Sequence, residues 1–158
     1  MTKKDLFKKQ LTPGQALQKI KHYCAYQERC HSEVKQKLYN MGAGKKTQDG
    51  IIAKLIEEGY LDEERFAIAF AGGRFRIKQW GRVKIKDEMK QKLVSEYSIN
   101  KALKQINGKE YIAVLNKLAY NKYSSLKNEL PITRKKKTMD YLLQKGFEWE
   151  LVKEVLME

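Results

Sequence analysis

Residues 57–70, with the sequence EEGYLDEERFAIAF, join the first two copies of a helical pattern that occurs three times in this chain of 158 residues. Each copy reads as a long helix, a short basic helix and another short helix. Gly42 and Gly146 follow the short basic helix in the first and third copies. Leu93 stands at the corresponding place in the second copy, so we expect that helix to end differently. A chain of small, similar, positively charged helical units is more typical of binding than of catalysis.

The apolar residues recur at helical spacing along the chain, and no segment shows the sustained alternation of a strand. We therefore predict an all-α fold with three tandem three-helix repeats at residues 12–62, 63–107 and 108–158. Each repeat would bury little by itself, so neighbouring repeats should share interfaces in an elongated, curved solenoid. Residues 1–11 are predicted to form a disordered basic arm.

Local signals predict where several helices begin and end. Thr12 is expected to cap the first helix in a capping box, and Asp62 is expected to cap the fourth. Ser32 is expected to cap the second helix, and residues 43–49 are expected to form a polar loop. Asn107, followed by a glycine, is expected to end the sixth helix.

Two apolar stripes predict packing faces. Phe66, Ala69, Phe70 and Gly73 recur at the spacing of one helix face. The pair Gly72–Gly73 would let another helix approach closely, or would only weaken its own helix. In the third repeat, the predicted face is formed by Ile112, Leu115 and Ala119.

The net charge of the chain is +14 and its pI is about 9.7, which implies a polyanionic or acidic partner. The middle repeat is the most basic for its length, with a net charge of +6 in residues 63–107. No apolar run reaches the roughly 20 residues of a membrane helix, and the lysine-rich N-terminus lacks the apolar segment of a signal peptide. Cys24 and Cys30 should point to different faces of one helix, as reduced thiols of a cytoplasmic protein.

Candidate catalytic and metal-binding motifs are weak. Residues 42–47, GAGKKT, do not match a phosphate-binding loop and follow no strand. Glu88 and Lys90 resemble a fragment of some metal-dependent nucleases, but no partner acidic strand is visible. His22 and His31 are nine residues apart and should face opposite ways. We predict no catalytic residue, no metal site and no cofactor.

The basic stretch of residues 74–92 is the candidate binding site, because phosphates attract its cations and an exposed indole could stack on a base or anchor in a protein. Phe75 and Trp80 are interleaved with these charges in the sequence. The alternative is that Trp80 belongs to the core and that the charges lie on a solvated face. A second basic run follows Pro131, at a predicted helix start, where a disordered loop would also explain it. The predicted nucleic-acid or partner-binding residues are Arg74, Arg76, Lys78, Trp80, Arg82, Lys84, Lys86, Lys90, Arg134, Lys135 and Lys136.

The run Gly-Tyr-Leu-Asp-x-x-Arg-Phe-Ala at residues 59–67, followed by Trp80-Gly81-Arg82 and by Leu142-x-x-x-Gly146-Phe147, resembles the RecX family of recombination regulators. By motif order the resemblance covers roughly residues 15–157. It implies binding of the RecA recombinase, especially its filament on single-stranded DNA, and inhibition of filament growth, ATP hydrolysis and strand exchange. Duplex DNA is a further possible ligand, and we expect a monomer. The residues of the 59–67 run are expected to be architectural, with Arg65 bridging two repeats.

Three other functions fit parts of the pattern. The main alternative is a stand-alone helical DNA-binding regulator, which would bind duplex DNA by sequence without any recombinase. A small nuclease would cleave DNA in a metal-dependent reaction that Glu88→Gln removes. A basic scaffold for another protein would do neither.

Overall fold

A computed structural model of the chain describes residues 11–157, and all regular secondary structure in this range is helical. The prediction of an all-α fold is confirmed. None of the helices in this range is long and apolar enough to cross a membrane. The helices are α1 (Pro13–Tyr26), α2 (His31–Asn40), α3 (Lys45–Glu57), α4 (Glu63–Lys78), α5 (Arg82–Gln91), α6 (Glu96–Lys104), α7 (Gly108–Ser125), α8 (Pro131–Gln144) and α9 (Trp149–Met157).

The chain forms two compact units, one extending to Phe66 and the other beginning at Ala67, so the boundary lies within α4. In the first unit, α1, α2 and α3 pack on one another. In the second unit, α5 packs on α6, while α7, α8 and α9 pack together. The boundaries of the three sequence repeats and their arrangement as a solenoid stay predictions.

The core of the first unit is a single cluster of buried apolar side chains: Ala16, Ile20, Cys24, Val34, Leu38, Ile51, Leu55 and Leu61. Leu11 packs against this cluster, although we had included it in the predicted arm. The rest of that arm, residues 1–10, lies outside the described residues. Cys24 lies in α1 but Cys30 precedes α2, so the prediction that both lie on one helix is wrong. Both are buried free thiols, and burial raises the pKa of each.

Two of the predicted helix caps are confirmed. The hydroxyl oxygen of Thr12 accepts a hydrogen bond of 3.2 Å from the N–H of Gln15, whose side-chain oxygen accepts one of 3.0 Å from the N–H of Thr12. The carboxylate of Asp62 accepts a hydrogen bond of 3.0 Å from the N–H of Arg65. Each cap satisfies backbone donors that have no partner within the helix.

The other predicted ends are wrong by a few residues. Cys30, not Ser32, caps α2, because the carboxylate of Glu33 accepts a hydrogen bond from the N–H of Cys30 and so ties down the first turn two residues earlier. Asn107 opens α7 instead of ending α6, since its side-chain oxygen accepts from the N–H groups of Lys109 and Glu110 at 3.0 and 3.1 Å. The same side chain is a good helix start and a plausible helix end.

The predicted loop at residues 43–49 is mostly helix. Gly44 caps α3, which begins at Lys45, and the side-chain amide of Gln48 donates a hydrogen bond of 2.7 Å to the carbonyl oxygen of Ala43. The polar composition of this segment reflects an exposed first turn. A run of polar residues therefore does not separate a loop from a solvated helix start.

The buried face of α4 is shifted from the predicted stripe. Phe66, Ala67, Phe70, Ala71 and Phe75 are buried, whereas Ala69 is exposed. The suggested close approach of another helix at the glycine pair is wrong, because a Cβ at position 73 would have open space around it and one at position 72 would meet only the flexible side chain of Arg76.

The three short basic helices end in the same way, contrary to our expectation for the middle one. Gly42, Leu93 and Gly146 all adopt a left-handed backbone, with φ of 87°, 62° and 96°. In each case the N–H of the next residue bonds to the carbonyl oxygen five residues before it, at 3.0 to 3.2 Å. The acceptors are the fully buried residues Leu38, Met89 and Leu142. This hydrogen bond is the closing bond of a Schellman motif, which normally takes glycine at the left-handed position.

The start of α5 meets the end of α8 through direct backbone contact. The N–H of Gly81 donates to the carbonyl oxygen of Lys145 at 2.8 Å, and the N–H of Val83 donates to that of Gly146 at 2.9 Å. A Cβ on Gly81 would overlap the carbonyl group of Gly146, and one on Gly146 would overlap the backbone and Cβ of Lys84. Only glycine at both positions permits this approach.

We expect Leu93→Gly to stabilise the protein by about 0.5–1 kcal/mol. A non-glycine residue in the left-handed region costs roughly 1–2 kcal/mol, partly offset by the greater chain entropy of glycine in the unfolded state. The Leu93 side chain is 79% exposed, so its removal loses little packing. Urea denaturation measures the change. The control is Lys92→Gly, at the preceding position with a negative φ, and it should destabilise the protein. Equal destabilisation by both changes would contradict a left-handed backbone at Leu93.

We expect Gly81→Ala to lower the free energy of unfolding by about 1–3 kcal/mol, the usual cost of forcing an extra group into a packed site. The backbone of Gly81, with φ of −77°, is open to any residue, so the cost comes from the contact alone. Gly73→Ala is the matched control and should stabilise by up to about 1 kcal/mol, because it replaces a helical glycine in open space. Thermal and urea denaturation of both variants compare them; a neutral Gly81→Ala would refute the close approach.

Candidate nucleic-acid interface

The predicted basic stretch lies on the last turns of α4, the short connection after it and the first turns of α5. Gln79 adopts a left-handed backbone with φ of 55°, which ends α4 and turns the chain. The N–H of Trp80 then donates to the carbonyl oxygen of Arg74 at 3.2 Å. This turn brings cations from both helices towards the indole of Trp80.

Three of the predicted cations surround Trp80, which is half-buried. The ammonium nitrogen of Lys84 lies 4.4 Å from the indole centroid, that of Lys78 lies 5.2 Å away, and the guanidinium carbon of Arg74 lies 5.5 Å away. All are within the range of a cation–π interaction. The indole thus holds three positive charges close together.

A fourth cation, Lys145, joins this group from the end of α8. Its ammonium donates a hydrogen bond of 2.8 Å to the carbonyl oxygen of Lys78. Partial burial and the nearby charge of Lys84 lower the pKa of Lys145. We name the five residues Arg74, Lys78, Trp80, Lys84 and Lys145 the Trp80 cluster.

Lys145 is not among the predicted site residues, because it is a lone lysine far from residues 74–92 in the sequence. Its one sequence signal is its position beside Gly146, within a motif that we had quoted only for its resemblance. The backbone contact with Gly81 is what carries Lys145 to the cluster.

Within residues 11–157, no carboxylate forms an ion pair with any of the four cations of the cluster. Their mutual repulsion is therefore not relieved by a neighbouring acid. A bound anion, such as a phosphate, would relieve it and gain charge-assisted hydrogen bonds.

Arg82 has a different environment, at a half-buried junction between α5, α7 and the residues before α9. Its guanidinium lies 3.9 Å from the ring centroid of Tyr111 and 3.3 Å from the carboxylate of Glu148. Its backbone N–H donates to the hydroxyl of Tyr111 at 3.0 Å, and that hydroxyl donates to Glu148. Burial and the bond to Glu148 raise the pKa of Tyr111, so the hydroxyl keeps its proton. Arg82 thus stabilises the fold, and its part in binding stays a prediction.

The other predicted residues of this stretch lie outside the cluster. Arg76 and Lys90 are exposed, and Lys86 is half-buried. Phe75, which lies between two arginines in the sequence, turns its side chain into the core, and its ring centroid lies 5.7 Å from that of Tyr111. Phe75 therefore belongs to the core, whereas Trp80, for which we considered a place in the core, is only half-buried.

The second basic run begins at the N-terminal end of α8, as predicted. The guanidinium of Arg134 donates two hydrogen bonds, of 2.9 and 3.2 Å, to the carbonyl oxygen of Tyr123 and lies 4.0 Å from the centroid of that ring. Arg134 therefore ties α8 to α7. Lys135 and Lys136 are exposed, and in the described part of the chain no hydrogen bond or ion pair joins this run to the Trp80 cluster.

The acidic residues once considered for nuclease chemistry lie on α5. Asp87 is exposed and Glu88 is half-buried. Among residues 11–157, no three histidine, cysteine, aspartate or glutamate side chains lie together as a set of metal ligands.

Comparison with known proteins places the chain in a family. Two family models match it: the second three-helix domain of RecX over residues 62–103 and the third three-helix domain of RecX over residues 109–156. Two crystal structures have similar folds, each with a TM-score of 0.83 over 92% of this chain. One is RecX from Lactobacillus salivarius, which is 20% identical in sequence, and the match covers 94% of its chain. The other is a regulatory protein RecX, which is 23% identical, and the match covers 72% of its chain.

Curated relatives are more similar in sequence. The regulatory protein RecX of Pelodictyon phaeoclathratiforme is 33% identical over 130 residues, which cover 81% of this chain and 79% of that protein. The regulatory protein RecX of Clostridium tetani is 37% identical over 126 residues, covering 78% of this chain and 57% of that longer protein. The tandem three-helix domains, the folds and these identities agree with one another, and the chain belongs to the RecX family of regulatory proteins.

Proposed function

We propose that this chain is a regulatory protein that binds the RecA recombinase and its filament on single-stranded DNA, and inhibits filament growth, ATP hydrolysis and strand exchange. Membership in the RecX family supports the regulatory role. The observation that carries the contact with DNA is the Trp80 cluster, where three cations without ion pairs surround one aromatic ring and a fourth, Lys145, is hydrogen-bonded beside them.

The cluster suits a phosphate backbone because its cations are already held in place. Lys78 and Lys84 lie against the indole, and Lys145 is hydrogen-bonded to the backbone. Long side chains that are ordered before binding lose less entropy when they meet a ligand. Each phosphate neutralised on a single strand contributes about 0.7 to the slope of log affinity against log salt.

Inhibition by this route needs no catalytic centre. A basic protein bound along the DNA and recombinase of a filament would occupy the place of the next recombinase subunit and would hold bound subunits out of their catalytic cycle. The protein acts as a monomer in this proposal. Other cations of the predicted set extend the contact around the cluster: the exposed Arg76, Lys90, Lys135 and Lys136 and the half-buried Lys86.

A stand-alone DNA-binding regulator is the second candidate, because the Trp80 cluster would also contact the phosphates of a duplex. The turn between α4 and α5, with cations on both sides, is the feature that favours it. This candidate requires sequence-dependent binding of naked duplex DNA, with no recombinase present.

We expect substoichiometric amounts of this protein to inhibit ATP hydrolysis by RecA on single-stranded DNA, and we expect Arg74→Ala/Lys78→Ala/Lys84→Ala to lose that inhibition. Removing three phosphate contacts should also lower the salt slope of binding by about 2. Arg82 is left unchanged because it pairs with Glu148. Steady-state hydrolysis is measured against protein concentration, with circular dichroism to verify folding.

The matched control is Lys109→Ala/Lys117→Ala/Lys153→Ala, which removes the same charge from exposed lysines of the same unit. It should inhibit like the wild type. Equal loss in both variants would mean that net charge alone acts, and would contradict a localised site. A wild-type protein that leaves hydrolysis unchanged but binds a particular duplex tightly would replace the proposal with the second candidate.

A further inference from the structure

A separate groove lies in the first unit, between α1 and the end of α2, with a volume of about 580 Å³. Its size is within the range of pockets that bind small molecules. Among the residues that the structure describes, no carboxylate lines it. The lining residues are Lys19, His22, Tyr23, Tyr26, Arg29, Lys37, Asn40 and Met41.

The helical repeat explains how the groove forms. Lys19, His22, Tyr23 and Tyr26 are spaced at i, i+3, i+4 and i+7, so they lie on one face of α1. The end of α2 supplies the facing wall. One wall thus carries both aromatic rings, and the cations Lys19, Arg29 and Lys37 lie around the groove.

The two tyrosines of the groove differ in what they contact. The ring of Tyr23 is covered by cations, with the guanidinium carbon of Arg29 at 3.7 Å from its centroid and the ammonium of Lys37 at 5.4 Å. Arg29 is fixed there by a hydrogen bond of 3.0 Å to the carbonyl oxygen of Tyr23. Tyr23 therefore holds two of the cations of the groove in place.

Tyr26 is 83% exposed, and within residues 11–157 its ring has no hydrogen bond, ion pair or aromatic contact. Single exposed rings are common on protein surfaces and need no explanation alone. Here the ring borders a groove whose charged residues are all cations. A free aromatic face beside ordered positive charges is the arrangement that binds unpaired bases and their phosphates.

We propose that this groove binds a nucleotide unit of single-stranded nucleic acid, with the base stacked on Tyr26 and the phosphates neutralised by Lys19, Arg29 and Lys37. The site is distinct in sequence and in unit from the Trp80 cluster. It shares with the proposed function only the class of ligand, and it requires no recombinase. An acidic peptide would use the same cations but would gain little from the free ring.

The test measures binding of a fluorescent oligothymidine to the full-length protein by anisotropy, without recombinase. Tyr26→Ala should weaken binding roughly 5- to 150-fold, the range for losing one stacked base. Tyr39→Ala is the matched control, because Tyr39 is a 70% exposed tyrosine outside the groove; it should change affinity less than twofold. Tyr26→Trp should preserve binding.

The charges are tested in the same way. Lys19→Ala/Lys37→Ala should lower the salt slope by about 1.4, whereas the exposed pair Lys35→Ala/Lys54→Ala outside the groove should leave it unchanged. The effect of Tyr26→Ala should have the same size in the Arg74→Ala/Lys78→Ala/Lys84→Ala background, since the two sites act separately.

Several results would overturn the inference. One is a wild-type protein that does not bind oligothymidine. Another is an equal loss of oligothymidine affinity in Tyr26→Ala and Tyr39→Ala. A third is polyglutamate that competes with oligothymidine as well as unlabelled oligothymidine does, and that binds Tyr26→Ala as tightly as it binds the wild type. The last result would assign the groove to an acidic peptide. Because recombinase is absent, the outcome here is independent of whether ATP hydrolysis by RecA is inhibited.

Discussion

The backbone contact between Gly81 and Gly146 is the constraint on which the second unit depends. It joins residues 65 positions apart so closely that neither position has room for a Cβ. Two further features follow from it. Arg82 reaches the buried Tyr111 and the half-buried Glu148, and Lys145 reaches the carbonyl oxygen of Lys78. The fold of this unit and the composition of its candidate site therefore rest on the same pair of glycines.

Much of the fold could be predicted from the sequence, because burial imposes a helical period on apolar residues. The first unit illustrates this, since Ala16 and Ile20 in α1, and Val34 and Leu38 in α2, are four residues apart within each helix and are all buried. The predicted stripe of α7 was less accurate. Ile112 is 37% exposed, while Tyr111 beside it is fully buried and bonded to Glu148. One residue changes the helix face by about 100°, and only tertiary partners decide which of two adjacent large residues is buried.

The middle repeat shows why local rules failed at particular helix ends. Leu93 takes the left-handed backbone that Gly42 and Gly146 adopt, because the buried positions Met89 and Val94 on either side fix the path of the chain. Tertiary packing outweighs the local cost of about 1–2 kcal/mol. The candidate site was predictable in part for the same reason. Arg74, Lys78, Trp80 and Lys84 are near one another in sequence, whereas Lys145 enters through a contact that no local pattern encodes.

Aromatic rings explain how this chain holds its excess of positive charge. With 33 lysines and arginines and only 19 acidic residues, carboxylates cannot pair with every cation. Some cations join two elements through an acid, as Arg65 does with Glu28 at 2.5 Å, which links the first turn of α4 to the connection after α1.

Other cations are held by aromatic rings instead of acids. Three lie at the ring of Trp80 in the second unit, and two lie at the ring of Tyr23 in the first. An ion pair orders a cation but cancels its charge. A ring orders the side chain and leaves the full charge available to a ligand. The surfaces where cations lie on rings are therefore the surfaces at which a polyanion gains most, and they are built from the same residues that keep those surfaces ordered.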